Sequence, residues 1–327
     1  MLYAFTRHAS LVERTEILAG QDVPAEAFWL DLFEPSADEV ARVEAALEVS
    51  LPTREEMKEI EPSSRLYLEG GGVYITTTVL NRADDPNPSA DPITFVLSRQ
   101  RLVTLRHVDP RPVATYATRV SRQPNACLGA EDALVGLLEA FIDRFADILE
   151  RVSLDLDQTS RAIFDSTPAR PGGERDLQAV LKTLARNDDL ASTARESLLS
   201  ISRSISFLAV VADGWPKKEA KDLKARLKTA TRDIASLAEH AAFETNKVNF
   251  LLNATLGMIN IEQNRIIKLF SVAAVVFLPP TLVASLYGMN FRHMPELDWE
   301  YGYPMAICAM VLSAVVPYLF FKAKGWF

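Results

Sequence analysis

Two stretches, LFSVAAVVFLPPTLVASLYGMNF at residues 269–291 and YGYPMAICAMVLSAVVPYLFF at residues 301–321, contain no Asp, Glu, Lys or Arg. They are 23 and 21 residues long, and about 20 residues of helix cross the hydrocarbon layer of a bilayer. Buried helices of a soluble core seldom run uncharged for that length, and here two do so in succession. The reading is a pair of membrane-spanning helices. Arg265 and Lys268 precede the first, Lys322 and Lys324 follow the second, and the loop between them sets Arg292 against Glu296, Asp298 and Glu300. The excess of Lys and Arg on cytoplasmic flanks then places both termini in the cytoplasm and the short acidic loop outside. Trp299, Tyr301 and Tyr303 at one edge and Trp326 at the other suit the aromatic belts of the two interfaces.

Working outward, the remaining composition narrows the function. The chain has 327 residues, 48% hydrophobic and 24% charged, which excludes disordered and collagen-like classes. A net charge of −8 argues against nucleic acid as the main partner. Cys127 and Cys308 form no CxxC pair, so neither a disulfide framework nor a cysteine zinc site is expected. The first residues lack a basic stretch followed by an apolar core, so no cleavable signal peptide is expected. No Walker A motif, catalytic triad or HExxH pattern is present, which points away from an enzyme.

Before the apolar stretches the pattern changes once. Up to about residue 125, short runs rich in β-branched and aromatic residues predict strands at 27–32, 73–80, 93–98 and 101–106, the last two joined by a two-residue turn. Ser36 with Glu39 three residues on is a capping-box signature opening a helix over 36–49. Gly70-Gly71-Gly72 has neither the lysine nor the spacing of a phosphate loop and reads as a turn. Residues 84–92, with three prolines, read as a polar loop. From 131 the apolar spacing is helical to 164, broken over 168–173, and helical again from about 174 to 211. A third helix begins near Lys217 and meets no proline until Pro279; continued to Tyr287 it would be about 105 Å long.

Charge is segregated along these pieces. Residues 26–61 carry 11 acidic and 3 basic side chains, residues 131–157 carry 8 and 2, and residues 217–268 carry 6 and 10. Solvated helix faces account for most of these, and dense carboxylates also bind hard cations through oxygen. On the first apolar helix, steps of three and four collect Asn264, Ile267, Ser271, Ala274, Leu278, Thr281 and Ser285 into one small and polar stripe. Two readings stand at this point. Small and hydroxylic residues pack membrane helices tightly, and they also line water-filled conduits, which one helix can enclose only within a symmetric oligomer. With no carboxylate on the stripe, tight binding of a bare divalent ion is not expected there, and amide and hydroxyl oxygens would contact an ion's water shell instead.

The stripe ends in Tyr287-Gly288-Met289-Asn290, followed by Phe291-Arg292-His293-Met294-Pro295-Glu296-Leu297. This resembles the CorA family of divalent-cation channels, whose signature is Gly-Met-Asn followed by a Met-Pro-Glu-Leu loop. The resemblance implies a funnel-shaped homopentamer in the bacterial cytoplasmic (inner) membrane, with an α/β cytoplasmic domain, long stalk helices and two C-terminal transmembrane helices. It implies passive influx of hydrated Mg2+, and also of Co2+ and Ni2+, driven by membrane potential. Cytoplasmic Mg2+ bound between subunits would close the pore, so the ion is both cargo and regulator and no further cofactor is expected.

Carried over, Gly288, Met289 and Asn290 form the selectivity filter, with Asn290 presenting its amide oxygen to the hydrated cation, Gly288 permitting the turn and Met289 packing the loop. The seven stripe residues line the pore; Leu278 and Ile267 fall at apolar constrictions. Glu296 attracts cations to the entrance, and Lys322 and Lys324 form a basic collar at the inner mouth. Arg292 and His293 make the loop less acidic than it could be. The regulatory carboxylates match no single positions, only the regions 131–157 and the N-terminal acidic stretch. The implied division is a cytoplasmic α/β domain 1–130, a helical hairpin 131–215, a stalk helix 216–265, a pore-lining helix 266–290, an external loop 291–300, a second transmembrane helix 301–321 and a basic tail 322–327. Two alternatives remain: a zinc transporter of the same superfamily, with or without proton coupling, and a membrane-anchored scaffold or sensor that conducts nothing. The zinc branch generally lacks the Met-Pro-Glu-Leu loop, and the four histidines show no ligand spacing.

Overall fold

The apolar runs at Ala27–Phe33 and Arg101–Arg106 lie side by side as parallel strands at the centre of a seven-stranded mixed sheet. The computed structural model describes residues 1–85, 87–98, 100–164, 176–214, 217–290 and 294–325, without the side chains of 217–220, 296 and 297. In chain order the strands are β1 (Leu2–His8), β2 (Leu11–Ile17), β3 (Ala27–Phe33), β4 (Leu66–Glu69), β5 (Gly72–Asn81), β6 (Ser89–Ser98) and β7 (Arg101–Arg106). The helices are α1 (Ala37–Leu47), α2 (Pro62–Arg65), α3 (Arg111–Arg122), α4 (Ala130–Phe164), α5 (Leu177–Val211), α6 (Lys217–Tyr287) and α7 (Gly302–Ala323). The spatial order is β2-β1-β3-β7-β6-β5-β4, and every pair except β3–β7 is antiparallel. The chain divides into two units, Met1–Leu252 and Asn253–Phe327.

In the first unit, alternation along β3 sends Leu30 and Leu32 to one face of the sheet and Trp29 and Asp31 to the other. Leu30 and Leu32 join Val43 and Leu47 of α1, with Met57 and Tyr74, in a buried cluster. On the opposite face Trp29 stacks on Phe5 at 3.8 Å and meets the Tyr116 ring of α3 at 5.8 Å. The Trp29 indole donates to Thr104 (3.2 Å), Thr104 donates to Asp31 (2.6 Å), and Arg106 grips both Asp31 oxygens at 3.0 Å. Buried polar groups are tolerable only when partnered in this way. α5 is pinned to β5 through Ser200, whose hydroxyl accepts from the Thr77 hydroxyl (3.1 Å) and the Thr78 N–H (2.9 Å).

The capping box at Ser36 and Glu39 is present, and Gly70 and Gly71 take positive φ in the β4–β5 hairpin turn. The polar loop expected over 84–92 is shorter than that, because β6 already begins at Ser89. β7 pairs with β6 only from Ile93 onward, so Ser89, Ala90, Asp91 and Pro92 pair on one side only, where a residue without an N–H is tolerated. β1, β2, β4 and α3 were not expected. The break read over 168–173 and the interfacial Trp326 lie outside the described residues.

Among the described residues three helices are long and apolar enough to cross a membrane: Leu177–Gly214, Lys221–Tyr287 and Gly302–Ala323. The first is 44% buried in its most apolar window, against the sheet as just described. The other two bury 0% and 6% of theirs, so among the described residues little covers their apolar surface. α6 continues through Pro279 and Pro280 to a length of 71 residues. Each proline removes an intrahelical bond.

Candidate functional site

The stripe lies toward the C-terminal end of α6. Ile267 and Leu278 are 53% and 66% exposed, and Asn264, Ser271, Ala274, Thr281 and Ser285 are exposed with them. Val272, Val275, Val276, Pro279, Pro280, Val283 and Tyr287 are half-buried. At 3.6 residues per turn these fall on nearly the opposite side of the helix from the stripe. Leu269, Phe270, Phe277, Leu282 and Leu286 are as exposed as the stripe, so one chain leaves both the large apolar side chains and the small polar face of α6 open.

Within the stripe the hydroxyls are partly occupied. Ser271 donates to the Ile267 carbonyl (2.8 Å) and Thr281 to the Phe277 carbonyl (2.6 Å), each one turn back. Both oxygens keep lone pairs, so a ring of them can still accept hydrogen bonds from water. The helix closes at Gly288, whose N–H donates to the Ala284 carbonyl at 2.9 Å, followed by Met289 to Leu286 at 3.4 Å. A Cβ on Gly288 would stand 3.0 Å from the Ala284 oxygen. Glycine is needed here for that close approach. Met289 is 46% exposed and Asn290 is exposed among the described residues.

Phe291, Arg292 and His293 lie outside the described residues, as does the Glu296 side chain; the Glu296 backbone sits in a short turn, Pro295–Asp298. Lys322 lies in the last turn of α7 with its ammonium 5.9 Å from the Tyr318 ring centroid, and Lys324 caps that helix. Gly288, Met289 and Asn290 thus follow the stripe at one end of α6, and Lys322 and Lys324 close α7.

The acidic stretch 131–157 falls on α4, and much of it faces basic residues of α6 in the first unit. Arg226 pairs with Asp132 and, through two nitrogens at 2.9 and 2.6 Å, with Glu139; Lys247 pairs with Asp157 at 2.6 Å. The hydrogen bonds it donates to Glu139 and Asp132 hold the Arg226 guanidinium above its ordinary pKa, and Lys247 lowers that of Asp157. Asp143 is raised by burial, with Glu139, Asp147 and Asp233 adding to it. Among the described residues no group of three or more His, Cys, Asp or Glu is placed to hold a metal. In one chain, then, the charge segregation seen in the sequence clamps α4 to α6. Sequence patterns missed this pairing because its members lie 87 to 94 positions apart.

Residues 24–323 match the family model described as CorA-like Mg2+ transporter protein. The magnesium transport protein CorA of Yersinia pseudotuberculosis is 40% identical over 326 residues, and that of Escherichia coli strain K12 is 39% identical over 328, each alignment spanning all of both chains. The complete structure of the CorA magnesium transporter from Methanocaldococcus jannaschii superposes with a TM-score of 0.73 at 14% identity, covering 100% of this chain and 99% of that one.

Proposed function

This chain belongs to the CorA-like Mg2+ transporter family, and from that membership we propose that it is a magnesium transport protein of the bacterial cytoplasmic membrane. Full-length likeness to proteins named for magnesium transport carries this reading. The chain assembles as a homopentamer with both termini in the cytoplasm, α6 lining the axis and α7 outside it. The open polar stripe supports the assembly: five copies of α6 would turn these faces toward one another around a hydrated path, and Asn290 would ring its outer end. Mg2+ pays reluctantly for dehydration, so amide and hydroxyl oxygens that touch its water shell suit it, and Co2+ and Ni2+ follow the same route. The membrane potential supplies about 2.3 kcal/mol per charge per 100 mV, enough to drive a divalent ion inward without ATP. Leu278 and Ile267 form apolar constrictions that gate by dewetting, and cytoplasmic Mg2+ between subunits favours the closed state.

Uptake into proteoliposomes tests the reading, with Mg2+ and Zn2+ supplied separately, with and without a proton gradient. The expected result is Mg2+ entry driven by voltage alone and abolished in Asn290→Ala. Zinc entry that requires the proton gradient would reassign the chain to zinc transport. No flux of either ion from a confirmed oligomer would leave a scaffold role.

A further inference from the structure

One carboxylate of the first unit is surrounded by more arginines than it can neutralise. Asp84, just after β5, accepts from Arg144 (2.9 Å) and Arg151 of α4 and pairs with Arg111 of α3 (2.8 Å); Arg186 of α5 donates to its carbonyl (3.3 Å). A cavity of ≈170 Å³ opens beside it, lined by Asp84, Arg111 and Arg144 together with Arg82, Asp85 and Asp109. Asp109 is already engaged by Arg106 at 2.6 Å, and that arginine is matched a second time by Asp31. The guanidiniums of Arg82, Arg111 and Arg144 therefore line the cavity with Asp84 and Asp85, while Arg151 and Arg186 reach Asp84 from outside that lining. Arg151, outside the cavity lining and 42% exposed as a side chain, keeps one buried nitrogen, Nη2, with no acceptor among the described residues. A buried donor without an acceptor is costly, and planar guanidinium forks match tetrahedral oxyanions.

We propose that this cavity is a binding site for a phosphoryl group, either inorganic phosphate or pyrophosphate or the terminal phosphates of a nucleotide. At about 30 Å³ per water the space holds roughly five waters, enough for one or two phosphoryl groups and too little for a nucleoside. The phosphoryl oxygens take guanidinium donors of Arg82, Arg111 and Arg144 that Asp84 leaves unfilled, and the ligand joins α3 and α4 at one point. The site is independent of the ion path and of its assignment.

Calorimetric titration of the full chain in detergent, at constant ionic strength and without magnesium, tests it with phosphate, pyrophosphate and ATP in separate arms. Pyrophosphate is expected to bind at least as tightly as ATP, and tenfold or more weaker in Arg144→Ala. Arg111 is 70% exposed, so Arg111→Ala keeps the fold and is expected to weaken binding severalfold. Asp84→Asn removes the competing carboxylate and is expected to tighten binding; arginines serving only to hold Asp84 would give no such gain. The proposal is overturned by no binding heat in wild type, by affinities that no arginine substitution changes, or by binding of ATP alone.

Discussion

Gly136 shows how one missing methyl positions a helix. It sits in α4 where a Cβ would come within 2.4 Å of the Tyr116 ring. Tyr116 is 1% exposed and backed by Trp29, so it has nowhere to go. Gly136→Ala gains up to ~1 kcal/mol of helix propensity and loses ~1–3 kcal/mol to overpacking. The net expectation is a lower unfolding temperature. Gly257 of α6 has nothing within 4 Å of its Cβ position, and there the same substitution gains the propensity alone. Thermal unfolding of both variants decides the matter: a rise in both would mean that the α3–α4 contact is slack. Neither outcome is legible in sequence, where the two glycines look alike, both set in helical periodicity.

At the scale of elements, strands were legible where β-branched residues run densely. All ten residues of β5 are buried, and its Val, Ile and Thr run announces that. β2 buries only Val12 and Ile17, too few to show a period of two, and β4 has four residues. α3 did carry a signal: Val113, Tyr116, Ala117 and Val120 are buried at helical spacing behind Pro112. What sequence conceals is which elements a loop ties together. Asp84 reaches arginines 60 and 67 positions on, and fastens the turn after β5 to α3, α4 and α5. The hydrogen bond from Arg151 is the largest influence lowering its carboxyl below the ordinary 3.8, with the charges of Arg144, Arg151 and Arg111 also lowering it against a smaller opposing effect of burial. With the folded pKa depressed, the unfolded chain takes up the proton first as pH falls. The stabilisation is therefore whole above the ordinary value and lost as pH drops through the folded one. Wild type is expected to unfold at a higher temperature than Asp84→Asn at pH 6, with the gap closing below about pH 4. A gap that persists at pH 3 would show that the carboxylate contributes through shape rather than charge.

At the scale of the whole molecule, the proposed ion path is a set of residues on one face of α6, and an axis between subunits would lie in no single chain. The stripe was read from spacing, and in the structure it is the side of α6 opposite the half-buried one. Tight helix packing and a water-filled conduit both call for small residues there, and they differ in whether water reaches the stripe in the assembled protein. Ala273 and Ala274 are neighbours of identical size, and successive helical residues point about 100° apart. Ala274 belongs to the stripe, while Ala273 lies off both the stripe and the half-buried face. In a chain carrying Cys308→Ala, with Cys127 buried and its thiol pushed up to about 11 by burial, a single introduced cysteine reports its own surroundings. Thiol reagents act on the thiolate, which forms only where water reaches it. Ala274→Cys is expected to react with a charged water-soluble reagent and to lose Mg2+ flux on reaction, while Ala273→Cys, facing lipid, is expected to do neither. Equal inertness of both, with flux retained, would identify the stripe as a packing seam and move the ion path elsewhere. Reaction at Ala273→Cys alone would mean that the polar face looks away from the axis, and the proposed arrangement of the five helices would be wrong.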